Sequence, residues 1–129
     1  MRYDQFLAQV RERGEYADRN EAEWTTQVVL RVLADRLTAQ EAEDLAAQLP
    51  DQAANTLTAY AGDPETFSVH EFLRRIAEVT GATERTAQWD ASAVLSTVAD
   101  GVSGGEVKDV LGQLPSGYSV LFGKSALGG

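Results

Sequence analysis

The sequence predicts an all-α fold: duplicated three-helix units packed into one compact helical bundle, with an extra short helix between them. Three observations predict it. Apolar residues recur at i, i+3, i+4 and i+7, the spacing of a helix face. Motifs of the S/T-x-x-E type stand before several of these runs, where a helix start needs them. Trp24 to Pro50 aligns without a gap on Trp89 to Pro115 at a constant offset of 65 residues. Val29/Val94, Leu30/Leu95, Asp35/Asp100, Gln48/Gln113 and Leu49/Leu114 are among the identical pairs. A repeat of this kind implies a repeated structural unit.

Tyr3, Phe6, Leu7 and Val10 form the stripe of a first helix, and Val69, Phe72, Leu73 and Ile76 repeat it at an offset of 66. Gly14 and Gly81 are expected to end these helices, because glycine takes a left-handed conformation at little cost. The second helix of each unit starts near Asp18 or Thr83, both good N-caps. Asp18-x-x-Glu21 also resembles a capping box. Trp24, Val28, Val29, Val32, Leu33 and Leu37 form its expected inner face. The counterparts are Trp89, Ala93, Val94, Thr97, Val98 and Val102. Both tryptophans are read as core anchors, and an exposed one would be the first interface candidate.

The third helix opens on Thr38-x-x-Glu41 in one unit and Ser103-x-x-Glu106 in the other. Each is a capping box in which the hydroxyl and the carboxylate serve each other's amides. Pro50 and Pro115 end these helices, since the residue before a proline is pushed out of the α region. Asp51 to Tyr60 predicts the extra helix, which Ala61-Gly62-Asp63-Pro64 breaks. Ser68-x-x-Glu71 starts the second unit. After Pro115, a turn and a helical turn over Val120 to Phe122 form an apolar plug. Residues 1–122 therefore read as a single helical domain, with repeats at about 3–50 and 69–115. Segment 51–67 is the connecting short helix and loop, and 123–129 a flexible tail. Alternating strand patterns are absent.

The residues carrying this frame resemble a known family. They are Phe6-Leu7, Asp35-Arg36-Leu37, Thr38-x-x-Glu41-Ala42, Gln48-Leu49-Pro50, Phe72-Leu73, Gln113-Leu114-Pro115 and Leu121-Phe122. Their order is similar to the domain-of-unknown-function 2267 family of bacterial proteins, over about residues 3–122. The resemblance implies an all-helical domain and no particular activity. Glycines at 101, 104 and 105 depart from the pattern.

Composition bounds the function. The chain has 129 residues and no cysteine, which excludes disulfides, thiolate metal sites and cysteine nucleophiles. This fits a cytoplasmic protein. No signal peptide opens the chain and no stretch reaches the roughly 18–20 apolar residues of a membrane span. The net charge is −9. Residues 1–66 hold 13 acidic and 6 basic side chains, residues 67–129 hold 7 and 5. Such a surface repels nucleic acid and anionic membranes. Solubility is its plainer role, and a negative face in the first half that meets a basic partner is the sharper reading.

Chemistry-bearing motifs are sparse. Glu41/Asp44 and Glu106/Asp109 place two carboxylates at i, i+3 in each unit, a possible divalent-metal set if the two pairs meet. Capping already explains the glutamates. His70 stands alone in the first turn of a helix, with no Glu-x-x-His motif. No G-x-S-x-G, G-x-G-x-x-G or P-loop occurs. No catalytic residue and no cofactor are therefore assigned, and the reading leans away from an enzyme. Gln48 and Gln113, polar residues just before Leu-Pro, are the interaction candidates; helix-end capping is their plainer role. Arg74 and Arg75 are expected to pair with acids such as Glu71. The sequence reads as a non-enzymatic helical protein-interaction or scaffold module that meets a protein partner or a second copy. A small-ligand or divalent-metal-binding bundle is the alternative.

Overall fold

The computed structural model describes residues 1–124. Eight helices follow one another among the described residues: α1 Tyr3–Gly14, α2 Arg19–Ala34, α3 Ala39–Ala46, α4 Asp51–Tyr60, α5 Val69–Thr80, α6 Glu84–Gly101, α7 Gly104–Gly112 and α8 Tyr118–Leu121. The expected tail begins at Gly123; from residue 125 onward it lies outside the described residues.

The two longest helices, α2 and α6, pack together at the centre. Helix α1 lies against both of them, and so does α5. Helix α4 covers α2 and α3, α8 covers α6, and α3 meets α7. Phe6, Leu30, Leu33, Phe72, Ile76, Val94, Leu95 and Val98 are fully buried in one continuous core. The helices form where the apolar stripes need them, because burying such a stripe removes it from water.

The starts of the helices follow the local chemistry. Asp18 accepts from the Glu21 amide at 2.9 Å, Thr83 from Thr86 at 3.1 Å and Ser68 from Glu71 at 3.2 Å. At α3 the box is reciprocal: Glu41 N–H donates to Thr38 Oγ1 at 3.1 Å, and Thr38 N–H to Glu41 Oε1 at 2.7 Å. The other boxes are rewired by neighbours. Glu21 accepts from Ala17 N–H at 3.1 Å, one residue before the cap. Glu71 is taken by Arg74 and Arg75 at 2.7 and 2.9 Å.

Two expectations are corrected at α1 and α2. Gly81 is left-handed as expected (φ 75°), but at the end of α1 the left-handed residue is Glu15 (φ 55°). Gly14 is instead the last helical residue, and a Cβ there would run into the Tyr16 ring. Glycine at 14 serves close approach. The second correction concerns the tryptophans. Trp24 is 53% exposed and Trp89 50%. Val28, Val29, Val32, Leu33 and Leu37 are buried as expected, joined by Ala22, Thr26 and Leu30; of the expected inner face only Trp24 stands out at its edge.

After α4 the chain returns over the end of α2. Glu65 N–H donates to the Asp35 carbonyl at 2.8 Å, and Thr38 and Gly62 form an isolated bridge. Tyr118, Leu121 and Phe122 are buried as the expected plug, while Val120 points outward. Gly117, at φ 102°, makes the turn that inserts Tyr118 beside Phe72, ring centroids 5.2 Å apart.

Candidate functional site

Trp24, Tyr60 and Val79 are the large apolar side chains most exposed on one stretch of surface, at 53%, 54% and 55%. They line a single groove of about 270 Å³ with Gln27, Val28, Arg31, Val32 and Thr56. Helix α2 supplies one wall through the i, i+4, i+8 row Trp24, Val28 and Val32. Helix α4 supplies Thr56 and Tyr60, and the end of α5 supplies Val79. The Arg31 guanidinium lies 4.1 Å from the Tyr60 ring centroid and pairs with Asp35 at 3.0 Å. Trp24 Nε1 meets no acceptor among the described residues. Isolated exposed apolar residues are ordinary, whereas these three share one concavity.

The matched tryptophan is differently placed. Trp89 Nε1 donates to the Gly14 carbonyl at 2.9 Å, which ties α6 to the end of α1. Arg13 in the same turn donates to Ser96 Oγ at 2.9 Å and pairs with Asp100. Tyr16 Oη donates to the buried Asp90 at 2.6 Å. Burial, reinforced by Asp90, raises the Tyr16 phenol far above its ordinary value. A broader concavity of about 580 Å³ lies on the other side of this corner, between Asp4, Leu7, Arg11, Glu15 and Arg19. Two of its cations are engaged: Arg19 pairs with Asp4 at 3.2 Å and Arg11 donates to the Ala17 carbonyl at 3.0 Å.

The four acids expected as a metal set do line one groove. Glu41, Asp44, Glu106 and Asp109 face it from α3 and α7, together with Lys108 and Gln113. Burial and then the Asp44 and Asp109 carboxylates push the Glu106 carboxyl above its ordinary value. Among the described residues, no group of three or more His, Asp or Glu side chains is arranged to hold a metal ion. Gln48 sits at the edge of this region: its Oε1 accepts from Ser103 N–H at 2.7 Å. That bond occupies the amide which a reciprocal Ser103–Glu106 box would have used. The Gln113 backbone carbonyl accepts from Arg36 Nη2 at 3.5 Å, and its side chain is exposed.

Sequence reasoning missed Arg36. It is buried, donates to the Glu65 carbonyl, and lies 5.3 Å from the Phe67 ring centroid. Arg75 lies over the same ring at 4.0 Å and pairs with Glu65 at 3.1 Å. The tripeptide Asp35-Arg36-Leu37 has the composition of a polar turn, so no local signal marks the burial. His70 is exposed, with Nδ1 3.3 Å from Glu84 Oε1.

Among the described residues, no helix is long and apolar enough to cross a membrane. No curated protein is similar enough to the chain to count as a match. One family model does match: it is described as uncharacterized conserved protein (DUF2267), and it covers residues 3–121. With nearly the whole helical frame inside that match, the chain belongs to the DUF2267 family.

Proposed function

We propose that this protein is a cytoplasmic, non-enzymatic protein-interaction module and that the Trp24 groove is its contact surface. One observation carries the reading: Trp24, Tyr60 and Val79, each more than half exposed, line one concavity. Trp, Tyr and Arg dominate the energetics of protein interfaces, and Arg31 brings the third of these types to the same groove. The surrounding surface suits a protein better than nucleic acid or a lipid headgroup, because the chain carries −9. The absence of cysteine is compatible with a reducing compartment.

The frame that presents the groove is read as one domain of two related units. Position-matched residues support this, since Ala22/Ala87, Val29/Val94 and Leu30/Leu95 are all fully buried.

The test is affinity capture from the native cell with two baits, the unsubstituted chain and Trp24→Ala. A partner held by the first and lost from the second is the expected result. Sedimentation of the purified chain distinguishes a foreign partner from a second copy. A strictly monomeric protein that captures nothing and turns over a substrate would end the reading.

A further inference from the structure

We infer that α7 is a hinged flap: it comes away from α3 as a unit while the rest of the bundle stays folded, and the carboxylates across the α3–α7 groove set how often it opens.

The sequence weakens this helix at both ends. It opens on Gly104-Gly105 where the matching helix α3 opens on Ala39-Gln40, and it ends on Gly112. Glycine opposes a helix because it gives up the most backbone freedom on being ordered. None of the three serves a close approach, since a Cβ at each would meet nothing within 4 Å. What Gly104 and Gly105 supply is freedom of the backbone at the start of α7, where a flap needs its hinge.

The packing of α7 is thin as well. Helix α3 is covered by α4, but the chain after α7 turns into α8, which packs on α6. The main neighbour of α7 is therefore α3. Within α7 only Val107 and Val110 are buried, whereas α6 buries a row that runs from Ala87 to Val98. Long-range hydrogen bonds hold the two ends unequally. Gln48 Oε1 accepts from Ser103 N–H at 2.7 Å and pins the hinge. Arg36 Nη2 reaches the Gln113 carbonyl at 3.5 Å, too long to be a strong bond. Elements with few buried apolar contacts are the ones that open locally.

Charge decides how firmly the flap closes. Glu41 and Asp44 of α3 and Glu106 and Asp109 of α7 line the same groove, and Lys108 is the cation among them. Donors on their own side hold the α3 acids in place: Thr38 N–H donates to Glu41 at 2.7 Å and Gln40 Nε2 to Asp44 at 2.9 Å. Closing α7 brings like charges toward each other. The Glu106 carboxyl registers this cost, raised by burial and then by Asp44 and Asp109. Neutralising or screening these carboxylates favours the closed flap.

Hydrogen exchange on the whole chain tests the flap by comparing the amides of Val107 to Leu111 with those of Val94 to Val98. The α7 amides are expected to exchange at least about 100-fold faster, with little dependence on urea below the unfolding transition, as local opening requires. Gly105→Ala should slow them at least about twofold. Glu106→Gln should slow them by a similar factor at about 50 mM salt, and that advantage should fade at about 500 mM. Equal exchange in the two helices with the same urea dependence means that α7 opens only with the whole bundle, and it overturns the flap. Slowing by Gly105→Ala without any slowing by Glu106→Gln overturns the control by charge.

Discussion

Tyr16 Oη donates to Asp90 Oδ1 at 2.6 Å, joining the corner after α1 to the middle of α6. Burial raises the Asp90 carboxyl above its ordinary value, the Tyr16 bond opposes that rise, and Glu21 adds to it. The native state therefore holds this proton more tightly than the unfolded chain. Over the interval between the two pKa values, stability falls as pH rises, and above the folded value the loss is complete. Asp90→Asn removes that loss and still accepts from Tyr16. Its advantage over the unsubstituted chain is expected to grow as pH rises through the carboxylate range, measured by urea denaturation. Tyr16→Phe leaves Asp90 without this donor and should cost about 1–3 kcal/mol at neutral pH.

Glu71 carries the opposite sign. Arg74 and then Arg75 hold its carboxyl down to about 2. Its contribution is present above the unfolded carboxylate value and is lost as pH falls toward about 2. Glu71→Gln should therefore flatten the acid limb of the stability profile. Glu71, Arg74 and Arg75 are all partly exposed, so high salt should shrink the difference between variant and parent.

Gly14 is a packing position. The Tyr16 ring occupies the space a Cβ would need. Gly14→Ala is expected to cost about 1–3 kcal/mol by overpacking. It should also displace Tyr16 from Asp90, which near-ultraviolet circular dichroism would detect. An alanine variant as stable as the parent would contradict this packing.

The two tryptophans should respond unequally. Each is half exposed, so neither substitution should reach the roughly 3–5 kcal/mol of a core tryptophan truncated to alanine. Trp89→Ala also loses the bond to Gly14 and should cost about 1 kcal/mol more than Trp24→Ala. Thermal denaturation of the two variants makes the comparison, and equal losses would count against a distinct role for the Trp89 bond.

Gln48→Ala frees the Ser103 amide and should cost about 1 kcal/mol. Thr38→Ala should cost a similar amount, about 1 kcal/mol, through the lost cap. Glu106→Ala should leave the Ser103 amide undisturbed, because Gln48 already occupies it. Amide exchange at Ser103 separates these outcomes: it should accelerate in Gln48→Ala only.

Much of the helical frame was legible residue by residue. Thr38 and Glu41 form their box, and Asp51 and Tyr60 bound α4, whereas α3 and α7 end at Ala46 and Gly112, short of the ends expected at Pro50 and Pro115. These features depend on groups within about four positions of one another, where the backbone itself sets the distance. The meeting of the Glu41 and Glu106 pairs along one groove was open in the sequence. The candidate site was legible only in its parts: Trp24 is conspicuous, but the stripe that contains it looks like a core stripe.

The sequence by itself determined the class of fold and where most helices begin, because these are decided by short-range hydrogen bonding and by the period of the apolar residues. The tertiary structure decided that Trp24 stands exposed at the edge of the buried face of α2, that Arg36 is buried, that Gln48 serves the start of α7, and that Trp24, Tyr60 and Val79 share a groove. Each of these depends on which distant helix arrives alongside. An apolar residue at helical spacing is compatible with the core or with its margin until the neighbouring helices α4 and α5 take their places.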